Sequence, residues 1–347
     1  MGNTRRRQLY IEKLMKKGSA FLGSKYPIMC GAMTWVSDAK LVTAVGNAGG
    51  LGLLAGGNAP VDAFEAEILK TREMSDNPFG VNLITVSPNY KNHLDMVLNM
   101  DVETVVFAGS IPRAKEIAQV KKRGAKVLCF AATEALAYKL ISMGADALIL
   151  EGSEAGGHIG PVALTVLLQQ ILFKVDNVPI FVAGGIATGR MMAHMLTMGA
   201  MGVQLGTRFV MSKECTAHYK FKEQFIKAKA RDAIATPAFD SRLPVIPVRA
   251  LRNEGHVKFG KLQLELIEKL ESNEINRNDA QYEVERFWMG ALRNAVVDGD
   301  TDFGSLMAGQ AVGLVDEIMS IQEIMDELIT DGEQTLADIK DQLCDCK

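Results

Sequence analysis

One histidine of the sequence lies in a setting suited to proton chemistry. His158 follows two glycines in the run Glu154-Ala-Gly-Gly-His-Ile-Gly160, directly after a short apolar stretch. An ordinary imidazole has a pKa of about 6.5, so it can donate or accept a proton near neutral pH. We expect this glycine-rich segment to be a flexible loop that carries His158 to a ligand. The other histidines lie in helix-like or polar stretches and are interpreted as core or surface residues: His93, His194, His218 and His256.

Two further runs place glycines where a backbone could approach a phosphate. Ala183-Gly-Gly-Ile-Ala187 and Gln204-Leu-Gly-Thr-Arg208 each end a short apolar stretch. Glycine lets backbone N–H groups come close to an anion, and the N–H groups of a following helix complete such a site. The runs therefore predict a phosphate site, with a tight turn at Gly184 and Gly185 as the simpler interpretation. Asn82 ends another apolar stretch, and its amide suits either a ligand edge or a turn.

Eight short apolar stretches alternate with longer amphipathic ones and must position these residues. They begin at Tyr26, Gly52, Phe79, Thr104, Lys126, Ala147, Pro179 and Gly202. Continuous apolarity is typical of parallel strands covered on both faces, and eight strand–helix units predict an α/β fold, a closed (β/α)8 TIM barrel. Its chemistry would lie at the carboxyl ends of the strands. The alternative is a doubly wound sheet, which favours G-x-G-x-x-G after the first strand, where this chain has Gly31-Ala-Met-Thr-Trp35.

Amphipathic stretches predict helices over residues 37–48, 60–72, 112–123 and 133–143. After the eighth stretch, a basic region (219–261) is followed by an acidic one (262–302). We predict that residues 1–222 and 301–347 form the barrel. Residues 223–300 would form a small, mostly helical substrate domain inserted after strand 8. A final helix is predicted from Val315 to Leu328.

Composition excludes several classes of protein. The 347 residues are 48% hydrophobic and carry a net charge of −3, which argues against a disordered chain and against a nucleic-acid binder. Neither HExxH nor G-x-S-x-G occurs, so a metallohydrolase or a serine hydrolase finds no support. The longest apolar runs, such as Val178–Ala187, are far shorter than the roughly 20 residues that cross a bilayer.

The cysteines indicate a reducing compartment. Five of them, an odd number, are mostly far apart, unlike a secreted disulfide framework. Cys344 and Cys346 are interpreted as a reduced tail, with a metal site or a redox pair as the alternative. No apolar signal stretch follows Arg5-Arg6-Arg7, so we predict a cytoplasmic protein.

An ordered set of motifs resembles a known family. The motifs are Tyr26-Pro-Ile with Gly31 and Met33, Ala48-Gly-Gly-Leu-Gly52, Gly56-Gly-Asn-Ala-Pro60, Pro78-Phe-Gly-Val-Asn82, Glu154-Ala-Gly-Gly-His-Ile-Gly160, Ala183-Gly-Gly-Ile186, Val203-Gln-Leu-Gly-Thr-Arg-Phe209 and Gly304-Ser-Leu-Met-Ala-Gly-Gln310. From about residue 20 to 330, the chain resembles the FMN-dependent enoyl-ACP reductase II group. That group belongs to the larger nitronate monooxygenase (2-nitropropane dioxygenase) superfamily. Cys30, Ala32 and residues 107–111 depart from the usual pattern of the reductases.

The resemblance implies that FMN lies across the mouth of the barrel. The flavin ring would face Gly31, Ala32 and Met33, and its polar edge would face Asn82. The phosphate would be held by Gly184, Gly185, Gly206 and Thr207. After the predicted second domain, the chain returns to the barrel near residues 304–310, which we call the returning segment. The ring system would be covered by Met307, Ala308, Gly309 and Gln310 of this segment. Further cofactor-binding residues implied by the matched motifs are Glu151, Gly156, Gly157, Ala183 and Gln204.

The resemblance also implies a reaction, the reduction of the trans-2 double bond of enoyl-ACP thioesters by NADH or NADPH through FMN in fatty acid synthesis. His158 would polarise the thioester carbonyl or help to protonate the α-carbon, and the sequence leaves both roles open. One alternative is a nitronate monooxygenase that oxidises alkyl nitronates with FMN and O2. The other is a barrel that binds FMN or a phosphate without turnover.

An enzyme that acts on acyl carrier protein, which is acidic, needs a basic face. The dense basic region predicts that the docking residues include Arg242, Arg249, Arg252 and Lys258, with a solvated helix face as the alternative. We expect no nucleic-acid or membrane partner. The choice between NADH and NADPH, the acyl chain length, the need for a monovalent cation and the formation of a homodimer stay open at this point.

Overall fold

Eight parallel strands close into a barrel in the computed structural model, which describes residues 9–57 and 59–344. In chain order the strands are β1 (Ile28–Cys30), β2 (Leu51–Ala55), β3 (Phe79–Ile84), β4 (Thr104–Ala108), β5 (Lys126–Ala131), β6 (Ala147–Glu151), β7 (Gly157–His158), β8 (Ile180–Ala183), β9 (Gly202–Leu205), β10 (Ala233–Ala235) and β11 (Val248–Leu251). The barrel uses β1 to β6, β8 and β9, and it closes where β9 pairs with β1. The predicted (β/α)8 barrel is confirmed, and the alternative prediction of a doubly wound open sheet is wrong.

Helices lie before and between the barrel strands and continue along the chain after the last of them. They are α1 (Tyr10–Leu22), α2 (Ala39–Asn47), α3 (Val61–Met74), α4 (Tyr90–Val97), α5 (Ala114–Lys122), α6 (Glu134–Ser142), α7 (Leu164–Leu167), α8 (Gly189–Thr197), α9 (Thr207–Val210), α10 (Tyr219–Lys227), α11 (Glu254–Glu271), α12 (Arg277–Arg293) and α13 (Ile321–Cys344). Short π-helical turns follow α7 and α12, over Leu168–Leu172 and Asn294–Asp298. Short 3-10 turns lie at Ala230–Asp232 and Gln310–Leu314.

Local sequence signals explain where several of these helices begin and end. Asp38 and Thr188 precede α2 and α8, and each side chain accepts a hydrogen bond from a backbone N–H of the first turn. Gly124 and Gly144 follow α5 and α6 with φ angles of +85° and +96°, which suit glycine far better than other residues. The four helices predicted between the early strands correspond to α2, α3, α5 and α6.

The final helix differs from the predicted range of Val315–Leu328. It begins only at Ile321, because Ser320 and Glu323 form reciprocal hydrogen bonds that start the helix. The helix continues to Cys344, since residues of its later turns also form contacts with other helices. Glu333 accepts a hydrogen bond from the backbone N–H of Ile11 at the start of α1 (2.9 Å). Cys344 is exposed, whereas Cys346 and Asn58 of the Gly-Gly-Asn-Ala-Pro motif lie outside the described residues.

The segment predicted as a second domain contains α11 and α12 and also the strands β10 and β11. It has a hydrophobic cluster of its own, in which Phe259 and Trp288 pack with their ring centroids 4.3 Å apart. The other buried members of this cluster are Leu243, Val248, Leu266, Ala280 and Val284. We call residues 223–300 the insertion, and its boundaries stay a prediction.

A small sheet outside the barrel joins the insertion to the loop after β6. Its strand order is β10-β11-β7, with antiparallel pairing throughout. Val248 of β11 lies opposite His158, and Arg249 lies opposite Gly157. The loop that carries His158 is therefore held by backbone pairing. Across residues 9–57 and 59–344, no helix has both the length and the apolar character needed to cross a membrane.

Candidate active site

A cavity of about 480 Å³ lies at the carboxyl ends of the barrel strands. Its volume is within the range of about 300–1,000 Å³ that small-molecule and cofactor sites occupy. The predicted site residues that line it are Gly31, Ala32, Met33, Asn82, Glu151, Gly156, Gly157, His158, Ala183, Gly184, Gly185, Gln204, Gly206, Thr207, Met307 and Gly309. The fold thus brings together residues that are far apart in the sequence.

Gln310 is one of two predicted cofactor residues that do not line this cavity. Its side chain is exposed, and its backbone N–H donates to the carbonyl oxygen of Glu154 (2.9 Å). Ala308, two residues earlier in the chain, is the other, and it is buried. The returning segment therefore faces the cavity through Met307 and Gly309, because alternate residues of an extended stretch point to opposite sides.

The turn after β8 requires its two glycines. Gly184 and Gly185 have φ angles of +94° and +69°, in the left-handed region that other residues rarely adopt. A Cβ atom on Gly184 would also lie 3.2 Å from the carbonyl oxygen of Gly152. The backbone of this turn forms part of the cavity surface. This geometry suits both a tight turn and a phosphate cradle, and the phosphate contact stays a prediction.

Two glycines let the returning segment touch the loop after β6 backbone to backbone. A Cβ atom on Gly156 would lie 2.5 Å from the backbone nitrogen of Gly309. The Gly309 N–H donates to the hydroxyl of Thr207 (3.0 Å), so the returning segment also contacts the turn after β9. Thr207 keeps its own hydroxyl hydrogen to donate. One wall of the cavity is therefore built from three parts of the chain.

A buried amide in the lining of the cavity has unused hydrogen-bonding capacity. Within the described part of the chain, Gln204 Oε1 is buried and has no hydrogen-bond partner. Buried polar atoms are nearly always hydrogen-bonded in native proteins, so such an atom in a cavity indicates a ligand with a donor group. Gly31 makes room for this amide, since a Cβ atom there would lie 3.2 Å from Gln204 Nε2. Asn82, also buried, supplies a second amide.

Glu151 places an acidic group on the same cavity surface, at the end of β6. Burial disfavours its charged form and raises the pKa of this carboxyl to about 8. Near neutral pH the carboxyl is therefore mostly protonated and can donate a hydrogen bond, unlike an ordinary glutamate.

The raised pKa of Glu151 predicts a pH-dependent stability difference from the Glu151→Gln variant. Between a pH of about 4.5 and about 8, Glu151 keeps its proton in the folded state and loses it in the unfolded chain. The contribution of this bound proton to the free energy of unfolding is therefore complete below a pH of about 4.5. It is lost as the pH rises through about 8. Urea unfolding of both proteins at pH of about 5, 7 and 9 should show the wild type losing stability relative to Glu151→Gln. A difference that is constant across these pH values would contradict the assignment.

His158 lies on the cavity wall, held by the small sheet, with its side chain 41% exposed. The expectation of a flexible loop is wrong, because β7 pairs with β11 and the Ile159 N–H donates to the carbonyl oxygen of Pro247 (3.0 Å). The imidazole Nε2 lies 3.2 Å from Glu285 Oε2 of α12. The imidazole is thus available to a ligand and contacts a carboxylate of the insertion.

Sequence reasoning missed an apolar part of the cavity and the carboxylate behind His158. The apolar residues are Ile84, Val86, Phe130, Leu136, Ile159 and Ile246. Ile84 lies at the end of β3 and Phe130 near the end of β5, positions that a barrel directs toward its mouth, so a signal for them existed. No local pattern distinguishes Glu285 from the other acids of residues 262–302.

The structure corrects one of the predicted docking residues. Arg249 is half-buried, and its guanidinium donates to the backbone carbonyl oxygens of Ser153 (2.9 Å) and Ala233. It therefore stabilises the loop after β6 and is not available to a partner. Arg242 is exposed but forms ion pairs with Asp240 and Glu271. Arg252 and Lys258 are exposed, and the Lys258 ammonium lies 3.7 Å from the centroid of the Phe303 ring.

Comparisons with known proteins agree with this fold and site. The family model described as nitronate monooxygenase matches residues 16–89 and 83–331. The structure of FabK from Thermotoga maritima is similar over 97% of this chain and 100% of that one, with 35% identity and a TM-score of 0.82. A nitroalkane oxidase from Streptomyces ansochromogenes is similar over 93% and 99% of the two chains, with 26% identity and a TM-score of 0.77.

A curated relative acts on a coenzyme A ester. It is the (3aS,4S,5R,7aS)-5-hydroxy-7a-methyl-1-oxo-octahydro-1H-indene-4-carboxyl-CoA dehydrogenase of Mycobacterium tuberculosis, 31% identical over 90% of this chain and 94% of the relative. The predicted oxidoreductase activity and the motif-based resemblance are confirmed by these similarities. With a closed barrel, a glycine-lined cavity at its mouth and a family model that spans nearly all of it, this chain belongs to the nitronate monooxygenase family of oxidoreductases.

Proposed function

We propose that this enzyme reduces the trans-2 double bond of enoyl thioesters, with FMN as its cofactor and NADH or NADPH as the reductant. The observation that carries the choice of substrate is the apolar part of the cavity that His158 also lines, formed by side chains such as Ile84, Phe130 and Ile246. An acyl chain is long and apolar, whereas a small alkyl nitronate would leave most of this surface uncovered. The similarity to a dehydrogenase that acts on a CoA ester supports a thioester.

The residues of the cavity fit FMN. Gln204 Oε1 is a buried acceptor without a partner among the described residues, which suits the N–H group of a flavin ring. The positive-φ turn at Gly184 and Gly185 leaves backbone exposed to the cavity, which suits a phosphate. When bound, FMN supplies the hydride transfer between the nicotinamide and the β-carbon of the substrate.

The protein contributes orientation and proton chemistry to this reaction. His158 can donate a hydrogen bond to the thioester carbonyl oxygen, where negative charge develops, or a proton to the α-carbon. The protonated Glu151 can donate a hydrogen bond at the end of β6, and the apolar side chains exclude water from the acyl chain. Glu151 is placed by a barrel strand and His158 by the small sheet beside the barrel, so backbone pairing fixes the position of each group.

The proposal is tested by an anaerobic assay of the purified protein. Its absorbance spectrum should show bound flavin, and NADH or NADPH should be oxidised when a crotonyl thioester is added. A parallel assay in air with an alkyl nitronate tests the nitronate monooxygenase alternative, which the nitroalkane oxidase similarity favours. Oxygen-dependent nitronate oxidation without enoyl reduction would overturn the proposed substrate and keep the cofactor.

We further propose acyl carrier protein as the donor of the substrate, with Arg252 and Lys258 at the docking surface. Both residues are exposed, and Arg252 directly follows β11, which pairs with the strand that carries His158. Charges at the rim of an interface mainly change association rates. The double variant R252E/K258E should therefore raise the KM for enoyl-ACP and leave the KM for an enoyl pantetheine unchanged.

The matched control for this charge reversal is K16E/K17E. These exposed lysines lie on α1, where Gly18 approaches Pro27 before β1 and Met201 before β9, at the opposite end of the barrel. The control should leave both KM values unchanged. An equal loss with both substrates in R252E/K258E, or no loss with either, would remove these residues as the carrier site.

A further inference from the structure

The structure assigns a positioning role to Glu285 of the insertion: it keeps a proton on Nε2 of His158, so that Nδ1 is the nitrogen that serves the reaction. The inference rests on the proposed function only in that His158 acts on the substrate. It begins from the 3.2 Å distance between His158 Nε2 and Glu285 Oε2. A carboxylate oxygen this close to Nε2 is attracted by a hydrogen on that nitrogen and repelled by a lone pair, so Glu285 favours the ring form that carries its hydrogen on Nε2.

The chemistry of a neutral imidazole then determines the other nitrogen. An imidazolium carries a hydrogen on each ring nitrogen and a neutral imidazole carries one, so a ring that keeps its hydrogen on Nε2 donates its proton from Nδ1 and then holds a lone pair there. His158 lines the cavity, and Nδ1 is the ring nitrogen not engaged by Glu285. The same arrangement of a carboxylate behind an imidazole selects the tautomer in many hydrolases.

Both members of the pair are held by rigid parts of the fold. The backbone of His158 pairs with Val248 of β11. Glu285 follows Val284 and precedes Trp288 on α12, and both of these residues are buried in the cluster of the insertion. The contact is therefore not a chance meeting of two flexible surface side chains, whose ion pairs contribute little.

The environment of Glu285 also distinguishes it from its neighbours. Its side chain is only 12% exposed, and within the described residues its Oε1 is buried without a hydrogen-bond partner. A carboxylate in such a place costs free energy unless it is paired, and His158 supplies the pairing. Glu283, on the same helix, instead pairs with the exposed side chain of Arg286.

The first measurement is the protonation of the His158 ring nitrogens in the flavin-bound enzyme. Two-bond ¹H–¹⁵N spectra of histidine-labelled protein, at a pH of about 9 where an ordinary imidazole is neutral, distinguish the tautomers. The His158 signal is identified by its loss in His158→Gln. We expect the Nε2–H tautomer, and any other state in the unsubstituted enzyme would overturn the inference.

The variants compare Glu285→Leu with the matched control Glu283→Leu. Glu285→Leu should lose the tautomer preference and lower kcat roughly ten- to hundredfold with little change in KM, because orientation matters most in the transition state. Glu285→Asp should recover part of kcat, and Glu283→Leu should change neither the tautomer nor kcat. An unchanged tautomer and kcat in folded Glu285→Leu would overturn the inference.

The outcomes separate this inference from the proposed function. The tautomer is measured without substrate, so a failure of enoyl reduction would leave that result intact. If Glu285→Leu does not fold, the tautomer of the unsubstituted enzyme still decides. Flavin content and circular dichroism of each variant show which case applies.

Discussion

The His158→Ala variant should keep its flavin and lose enoyl reduction by roughly two to four orders of magnitude, the usual effect of removing a positioned acid or polarising group. The imidazole is 41% exposed on the cavity wall, so its removal leaves no hole in the core. The backbone of β7 remains paired with β11. The flavin-to-protein ratio from absorbance, with turnover expressed per bound flavin, measures the two effects separately.

His194→Ala is the matched control for this substitution. His194 is an exposed residue of α8 and does not line the cavity, so its removal should change neither flavin content nor turnover. If His158→Ala lost its flavin while each remaining flavin turned over at the wild-type rate, His158 would be a structural residue.

A second large effect is expected from adding one methyl group at Gly156. In Gly156→Ala, the new Cβ would lie 2.5 Å from the Gly309 nitrogen and 2.6 Å from the Ala308 carbonyl carbon. Both are backbone atoms that cannot rotate away, so the loop after β6 and the returning segment must separate. We expect the Kd for FMN to rise at least about tenfold, which corresponds to about 1.4 kcal/mol.

Gly290→Ala is the matched control, a replacement of glycine by alanine that creates no steric clash. Gly290 lies in α12, and a Cβ atom there would meet no atom within 4 Å. Alanine is a better helix former than glycine, so this variant should be as stable as the wild type or more stable by up to about 1 kcal/mol. Titration of flavin-free protein with FMN, followed by fluorescence, compares the two variants. Wild-type affinity in Gly156→Ala would show that the cavity does not need this close contact.

The barrel could be predicted from the sequence because its signals are local. Each barrel strand is a short apolar stretch, and turns such as that at Gly124 mark the ends of helices. Features that depend on distant pairing could not be predicted in this way. The two residues of β7 form a strand only because β11 lies beside them, and β11 follows about ninety residues later.

The same reason explains the errors at individual side chains. Arg249 has the sequence context of a surface arginine, and only the fold places the carbonyl oxygens of Ser153 and Ala233 around it. Glu285 belongs to an acidic region that looks solvated, yet the packing of Val284 and Trp288 turns it toward His158. Gln310 follows Gly309 in the same motif, yet its side chain does not line the cavity, and its contact with the cofactor stays a prediction.

The shared wall formed by Gly156 and Gly309 has a consequence for the order of events during protein synthesis. The last barrel strand ends at Leu205, and Met307 and Gly309, which complete the cavity, follow about a hundred residues later. At a typical elongation rate of roughly 5–20 residues per second, a nascent chain spends roughly 5–20 seconds with its strands made and its cavity open on one side. We therefore expect cofactor binding to be a late step in the synthesis of this enzyme, because a chain interrupted before residue 307 would contain the barrel strands and lack Met307 and Gly309 of the cavity wall.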